Sequence, residues 1–193
     1  MPNKSHLSQQ IKKCALSAGF HKVGIAEAKI LDRSFYLEEW LSLKNHGTMQ
    51  WMENNIEKRK DVSKLYPEAR SIISVAHNYY TNHKHSDKPV KGKISRYAWG
   101  KDYHTIMKKK LKSLLEEIQT LDSSIKGRIF VDTAPIQDKL WAHEAGIGWQ
   151  GKNTNIITRE MGSWIFLSEI VINKELEYDQ PAIDFCGNCR TCI

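Results

Sequence analysis

The sequence predicts a mixed α/β fold of the α+β class, and three observations lead to this prediction. Apolar residues recur at helical spacing in four separate segments of the chain. Short apolar runs typical of strands lie between these segments. The last two runs follow one another with no helix between them, which favours an α+β sheet over a purely doubly wound one. A length of 193 residues fits one domain with, at most, the edge of a second.

The first part of the chain predicts two helices, a helical turn and two strands. Leu7, Ile11 and Ala15 recur at helical spacing, and Gly19 stands where a helix would end. A second helix begins near Phe35 and closes near Gly47. The remaining elements are a strand over residues 23–26, a helical turn over 49–55 and a strand over 71–76.

The second part predicts two further helices and four strands after a polar loop. Residues 82–92 hold breakers and charges, which predicts a mobile loop. Asp102 can cap a long helix that runs to Leu121. Pro135 opens the next helix and Gly146 closes it. The predicted strands cover 94–99, 128–131, 155–158 and 163–172, and the residues of the long helix expected to face inward are Ile106, Leu111, Leu114, Leu115 and Ile118.

Composition and charge narrow the classes of function. No apolar stretch reaches the roughly 18 residues of a membrane helix, and the N-terminus does not resemble a signal peptide, so we expect a cytoplasmic protein. Three of the four cysteines lie together near the end and Cys14 stands alone, which is not a disulfide framework. The formal charge of +7 suits a nucleic acid partner, although solubility alone also explains it.

A glycine-rich segment at residues 146–151 matches the dinucleotide-binding pattern G-x-G-x-x-G. That pattern requires a strand before it and a helix after it, whereas here a helix precedes and a strand follows. With Lys152 the segment also approaches a phosphate-binding loop, but Asn153 stands where Ser or Thr would bind magnesium. We therefore interpret it as a turn whose backbone passes close to something flat or large.

The three cysteines near the end predict iron–sulfur chemistry. Cys186, Cys189 and Cys192 have the C-x2-C-x2-C spacing that begins a bacterial ferredoxin run. A 4Fe–4S cluster needs four ligands, and the last cysteine of such a run serves the other cluster. We therefore expect these three residues to bind metal but not to complete a cluster within the chain, which is either an excerpt of a longer protein or partnered by a second polypeptide.

Several polar residues could carry chemistry. Asp132 follows an apolar strand and precedes a predicted helix, a position that suits a catalytic acid but is more often that of a helix cap. Arg59 lies in a charged run that is most often a solvated face. Residues 95–104 combine Arg, Lys and His with three aromatic residues, which suits stacking on bases or, alternatively, a corner of the core. The lysines of residues 108–112 form a basic face that would suit an RNA backbone.

With these pieces together, the chain closely resembles epoxyqueuosine reductase over nearly its whole length. Seven blocks in the same order carry the resemblance, and their combination is much more specific than any one of them. They are IEKR at 56–59, LYPEARSI at 65–72, RYAWGKDYH at 96–104, VDTAP at 131–135, AGIGWQGKN at 145–153, GSW at 162–164 and CGNCRTC at 186–192.

The resemblance implies a nitroreductase-like cobalamin-binding domain over residues 1–180 and the beginning of a ferredoxin-like 4Fe–4S domain over 181–193. It implies reduction of epoxyqueuosine to queuosine at the wobble position of tRNA, the last step of queuosine biosynthesis. The clusters would reduce the cobalt of cob(II)alamin, and the low-valent cobalt would support removal of the epoxide oxygen as water. The implied partners are the anticodon stem–loop of tRNA and an external electron donor, and we expect a monomer without membrane contact.

The resemblance also implies the roles of particular residues. Asp132 matches the family's proton donor, which reverses the preference for a helix cap. Close backbone approach at Gly146, Gly148 and Gly151 would be explained by a flat corrin. The residues expected to contact cobalamin are Arg59, Ser95, Asp132, Lys152, Asn153 and Ile156.

Two alternatives remain open from the sequence. A related corrinoid iron–sulfur reductase could act on a small molecule, as a reductive dehalogenase does, although the charge of +7 and the basic helix count against it. A non-catalytic RNA-binding module is the other class, and it would need neither Asp132 nor cysteines at cluster spacing.

Overall fold

The computed structural model describes residues 3–193 and confirms a mixed α/β architecture. Its centre is a four-stranded sheet in which every neighbouring pair is antiparallel. The strands lie in the order β1 (Lys22–Glu27), β2 (Ser71–Asn78), β6 (Ile165–Ile172) and β3 (Gly127–Phe130). A separate two-stranded hairpin joins β4 (Trp149–Gln150) to β5 (Ile156–Ile157).

Helices cover both faces of the sheet. One face packs against α1 (Lys4–Ser17) and α4 (Tyr103–Leu121), and the other packs against α5 (Asp138–Glu144). Two shorter helices, α2 (Tyr36–Ser42) and α3 (Ile56–Lys60), lie between β1 and β2 in the chain. No helix among residues 3–193 combines the length and the apolar character needed to cross a membrane.

The two cores follow from the alternation of side chains along the strands. Ile73 and Val75 of β2 face α1 and α4, while Ile72 and Ala76 face α5, because successive residues of a strand point to opposite faces. All four are fully buried, so β2 carries buried apolar side chains on both of its faces. This explains why a short, largely apolar stretch was enough to predict β2, one of the two inner strands of the sheet.

The long helix α4 ends where the sequence predicts, but its buried face is slightly rotated. Asp102 caps it by accepting a hydrogen bond from the backbone N–H of His104 at 2.9 Å. Ile106, expected to face inward, is 38% exposed, and Met107 is fully buried in its place. The reason is helical phase, since Met107 continues the stripe of Leu111, Leu114 and Ile118 at spacings of four, three and four residues.

The prediction of a strand at residues 94–99 is wrong. The segment forms a short 3-10 helix, Arg96–Ala98, and it adds nothing to the sheet. Its side chains bond back to nearby backbone: Trp99 Nε1 donates to the carbonyl of Ile94 at 2.7 Å, and Arg96 donates to the carbonyl of Thr81. The bond from Trp99 spans five residues and that from Arg96 spans fifteen, so the second joins separate parts of the chain. The predicted helix opened by Pro135 begins only at Asp138, and residues 82–92 contain no helix or strand.

The glycine-rich segment packs closely against other parts of the chain. A Cβ added at Gly148 would overlap the carbonyl of Ile157, and one at Gly151 would overlap the side chain of Ile157. Gly146 has a φ of +72°, which favours glycine, and its added Cβ would lie 2.8 Å from the carbonyl of Gln180. These glycines therefore allow the β4–β5 hairpin and the C-terminal segment to pack closely.

Candidate functional site

The candidate site is built around Asp132, in the loop that follows β3. Asp132 has a φ of +52°, in the left-handed region that only a few non-glycine residues adopt. Backbone strain of this kind is concentrated at functional sites. The side chain borders a cavity of about 130 Å³, which we call the acid cavity. Its other lining residues include Tyr103, Asp138, Lys139, Asn155 and Ile156.

His104 connects Asp132 to a second carboxylate, that of Asp102. Its Nε2 lies 3.0 Å from Oδ2 of Asp132, and its Nδ1 lies 2.7 Å from Oδ1 of Asp102. The hydrogen bonds to Asp132 and then to Asp102 raise the pKa of His104 above its ordinary value. The imidazole is therefore readily protonated and can hold a proton beside Asp132.

Aromatic packing fixes the position of this histidine. The ring of Tyr103 stacks on His104 with the ring centroids 4.0 Å apart, and on Phe166 at 4.1 Å on its other face. Burial, followed by the charge of Asp132, raises the pKa of the Tyr103 phenol to about 12. The Tyr103 side chain that lines the acid cavity therefore stays uncharged near neutral pH.

Two further acids lie near Asp132, and neither was predicted from the sequence. Asp138 begins α5, and its pKa is raised mainly by burial. Glu169 of β6 is fully buried, and neither of its carboxylate oxygens has a hydrogen-bond partner among the described residues. Burial, with a contribution from the charge of Asp138, raises the pKa of Glu169 well above its ordinary value. Burial therefore favours the neutral form of the Glu169 carboxyl group.

We expect replacement of Glu169 by glutamine to flatten the dependence of stability on pH. The raised pKa means that folded Glu169 keeps its proton where the unfolded chain has lost it. Its favourable contribution is complete below the unfolded pKa and is lost as pH rises through the folded pKa. The loss is about 1.4 kcal/mol for each pH unit between the two pKa values.

Thermal unfolding at several pH values between about 5 and 8 measures this effect. The melting temperature of the wild type should fall more steeply with pH than that of Glu169→Gln. Glu177→Gln, which changes an exposed glutamate, is the matched control and should follow the wild type. Identical slopes for the wild type and Glu169→Gln would contradict a buried neutral acid.

Arg59 lines a second cavity that adjoins the first. This arginine cavity has a volume of about 260 Å³ and shares Asp138 and Lys139 with the acid cavity. Burial lowers the pKa of Arg59, whose guanidinium lies 5.8 Å from the ring of Trp51. The carbonyl of Arg59 accepts a hydrogen bond from Gln137 at 3.0 Å. The short helix α3 is thereby held against the start of α5.

The rims of the two cavities suit a polar group that carries amide arms. Their rims combine two cations with three amide side chains, and amides pair with both kinds of group. Arg59, Asp132 and Ile156, three of the residues predicted from the sequence, meet along them. The amide side chains are Gln137, Gln150 and Asn155, and the cations are Arg59 and Lys139.

Three other predicted residues lie outside these linings. Lys152 donates from Nζ to the carbonyls of Gly187 at 2.8 Å and Cys189 at 2.7 Å, so its ammonium supports the cysteine segment. Asn153 accepts a hydrogen bond from the backbone of Asn155 at 3.2 Å. Ser95 is exposed at the start of the 3-10 helix.

The C-terminal segment is tied to the domain, but its thiols do not converge. The carboxylate of Asp179 accepts a hydrogen bond from the backbone of Ile25 at 2.8 Å, and Ala182 donates to the carbonyl of His143 at 2.9 Å. Cys189 and Cys192 are exposed and Cys186 is half-buried. Within residues 3–193 no group of three or more His, Cys, Asp or Glu side chains is arranged to hold a metal ion.

Cys14 differs from these three cysteines. It is half-buried on α1 and packs against the core that α1 and α4 form with the sheet. Burial raises the pKa of its thiol to about 11, which keeps it protonated. This agrees with the expectation that Cys14 is unreactive.

Comparisons with known proteins identify close relatives. A family model described as "Epoxyqueuosine reductase QueG, DUF1730" matches residues 59–133. The epoxyqueuosine reductase of Leadbetterella byssophila is 46% identical over 96% of this chain and 61% of its own length. That of Atelocyanobacterium thalassa is 43% identical over 97% of this chain and 61% of its own length. The chain thus spans about three fifths of these curated relatives.

Solved structures of epoxyqueuosine reductases also resemble this chain. An epoxyqueuosine reductase crystallised with an epoxyqueuosine-modified tRNA-Tyr stem loop has a TM-score of 0.85 and 32% identity, over 97% of this chain and 50% of that chain. The Bacillus subtilis enzyme, with its catalytic aspartate loop swung out of the active site, has a TM-score of 0.86 and 30% identity, over 98% and 51%. A reductive dehalogenase studied for B12-dependent dehalogenation has a TM-score of 0.58 and 11% identity, over 95% and 21%, a likeness of fold alone.

Proposed function

Because the chain belongs to the epoxyqueuosine reductase family, we propose that it is the part of such an enzyme that binds cobalamin and carries the proton donor. The reaction converts epoxyqueuosine to queuosine at the wobble position of tRNA. The observation that carries the proposal is the Asp132 carboxylate, held by His104 beside a cavity that adjoins the arginine cavity. The relative bound to an epoxyqueuosine-modified stem loop supports tRNA as the substrate.

Removal of an epoxide oxygen needs two electrons and two protons, and it releases water and leaves an alkene. His104, protonated between two carboxylates, passes its Nε2 proton to Oδ2 of Asp132 across the 3.0 Å hydrogen bond. Asp132 then delivers this proton to the departing oxygen, and a second proton taken up from solvent completes the water. Asp102 orients the ring by accepting from Nδ1.

Cobalamin fits the chemistry of the two cavities. The corrin ring carries amide arms, for which Gln137, Gln150, Asn155 and Lys139 supply partners, while Arg59 supplies a half-buried cation. Bound cobalamin would supply the redox-active cobalt that delivers the electrons. Ile156 would pack against the ring, and Ser95, Lys152 and Asn153 remain predicted contacts.

For the cysteine segment we keep the prediction of a ferredoxin-like 4Fe–4S domain that begins at residue 181, after a cobalamin-binding domain over 1–180. Cys186, Cys189 and Cys192 are its predicted ligands, and an external donor would supply electrons. The thiols as arranged within residues 3–193 do not form a metal site, so no step is assigned to them. The cytoplasm, where tRNA is modified, is the proposed location.

We expect the purified chain to bind cob(II)alamin under anaerobic conditions, and the Arg59→Ala variant to bind it about tenfold or more weakly. The loss reflects a charged hydrogen bond of about 1.5–3 kcal/mol. A titration followed by the EPR spectrum of cobalt measures both affinities. Arg128→Ala removes an exposed arginine outside the cavities and should bind as the wild type does. Equal affinities for the wild type and Arg59→Ala would contradict the assignment of the arginine cavity.

A further inference from the structure

A third cavity, larger than the two of the candidate site, has no role in the chemistry proposed above. This aromatic cavity has a volume of about 370 Å³, within the range of pockets that bind small ligands. Five aromatic rings and two imidazoles line it, together with Arg96 and Lys101. The rings belong to Tyr79, Tyr97, Trp99, Tyr103 and Phe166, and the imidazoles to His77 and His83.

The aromatic cavity and the acid cavity share a wall. Tyr103 and Phe166 line both of them, and their rings are stacked with an angle of 2° between their planes. Tyr79 continues the stack at 4.4 Å from Phe166, and His104 continues it on the other side. A ligand in the aromatic cavity would therefore lie next to the site that contains Asp132 and His104.

The side chain of Arg96, which lines the aromatic cavity, is held in place by its neighbours in the ligand-free protein. Its guanidinium lies 5.0 Å from the ring centroid of Tyr80, 5.1 Å from Trp99 and 5.5 Å from Trp164. The hydrogen bonds from Arg96 to the carbonyl of Thr81, and from Trp99 to the carbonyl of Ile94, fix both side chains. A preformed site of this kind loses little entropy when a flat ligand stacks in it.

The charge around the aromatic cavity indicates the chemistry of its ligand. Residues 79–102, which we call the basic loop, contain six basic residues and only two acidic ones. Most of the loop is exposed. Aromatic rings beside a cationic surface are typical of sites for single-stranded nucleic acid, where bases stack and phosphates pair with lysines. The basic residues are Lys84, Lys88, Lys91, Lys93, Arg96 and Lys101, and the acidic ones are Asp87 and Asp102.

We propose that the aromatic cavity binds an unpaired base of the RNA substrate, next to the nucleotide that reacts, while the basic loop contacts the neighbouring phosphates. The inference rests on the proposed function, because it takes the substrate to be an RNA loop. Tyr97, which is 55% exposed, is the ring of this cavity whose loss would disturb the fold least.

The test is a titration of the protein with an unmodified anticodon stem–loop RNA at fixed salt, followed by fluorescence anisotropy. Tyr97→Ala and Trp99→Leu should each weaken binding about five- to hundredfold. Tyr36→Ala removes a tyrosine that is 68% exposed elsewhere and should bind as the wild type does. Lys101→Gln should reduce the dependence of affinity on salt, whereas Tyr97→Ala should leave that dependence unchanged.

A hairpin with abasic sites in its loop completes the test. It should bind the wild type more weakly, yet bind Tyr97→Ala no more weakly than the intact hairpin does, because the two changes remove the same contact. RNA affinity that is indifferent to both Tyr97→Ala and Trp99→Leu would overturn the inference. If cobalamin binds normally in that case, only the inference fails. If RNA binding depends on Tyr97 but the protein binds no cobalamin, the inference stands and the proposed function is overturned.

Discussion

Asp132→Asn should reduce the rate of epoxyqueuosine reduction by about 10²–10⁴-fold in the full-length enzyme, the usual contribution of a positioned acid. An asparagine keeps the size of the side chain and can still accept the hydrogen bond from His104. It cannot deliver a proton to the departing oxygen. Cobalamin affinity should be unchanged, because the corrin contacts proposed for Arg59 and Ile156 remain. The rate of queuosine formation in single-turnover assays measures the effect.

Two further variants control this experiment. Asp122→Asn changes a carboxylate at the far end of α4 that pairs with Lys174 at 2.8 Å, and it should retain full activity. Asp102→Asn weakens only the orientation and charge of His104, so we expect a smaller loss than with Asp132→Asn. Full turnover by Asp132→Asn would exclude the proton-donor role.

Gly24→Ala should destabilise the fold by about 3 kcal/mol or more, at the upper end of the range for overpacked cores. Gly24 lies in β1, and a Cβ there would overlap the backbone carbonyl of Ala145 at the end of α5. That carbonyl belongs to the backbone at the end of α5 and cannot rotate aside as a flexible side chain would. The whole of α5 would therefore have to move away from the sheet. The melting temperature should fall by about 6–12 °C for a chain of this size.

Thermal unfolding followed by circular dichroism tests this expectation. Gly92→Ala is the matched control, because an added Cβ there meets nothing within 4 Å and its melting temperature should be unchanged. A Gly24→Ala protein that melts with the wild type would show that α5 packs differently from the arrangement described here. Because α5 begins at Asp138, such a result would also weaken the placement of the acid cavity.

Much of the fold was predictable because local pattern and burial agree. The stripe of α4 and the apolar runs of β2 and β6 are long enough to specify their elements. The hairpin of β4 and β5 was missed as a pair, since strands of two residues carry almost no periodicity. The segment 94–99 was misassigned because tertiary contacts of Arg96 and Trp99, which sequence does not display, decide its conformation.

The candidate site was predictable only in part. The resemblance singled out Arg59, Asp132 and Ile156, which line two adjoining cavities. Asp138 and Glu169 were missed because their raised pKa values come from burial in the folded chain. One signal did exist for Glu169. It interrupts the apolar run of β6 at a position whose neighbours two residues away both face the core beside α5.

If this chain forms the reducing site for epoxyqueuosine, the modified nucleoside itself should change. We would measure it by mass spectrometry of nucleosides from tRNA in a bacterial strain that lacks its own epoxyqueuosine reductase and expresses the full-length protein. Epoxyqueuosine should be replaced by queuosine, lighter by one oxygen atom, only when cobalamin is supplied. Unchanged epoxyqueuosine in the presence of cobalamin-loaded enzyme, or conversion that needs no cobalamin, would contradict this assignment.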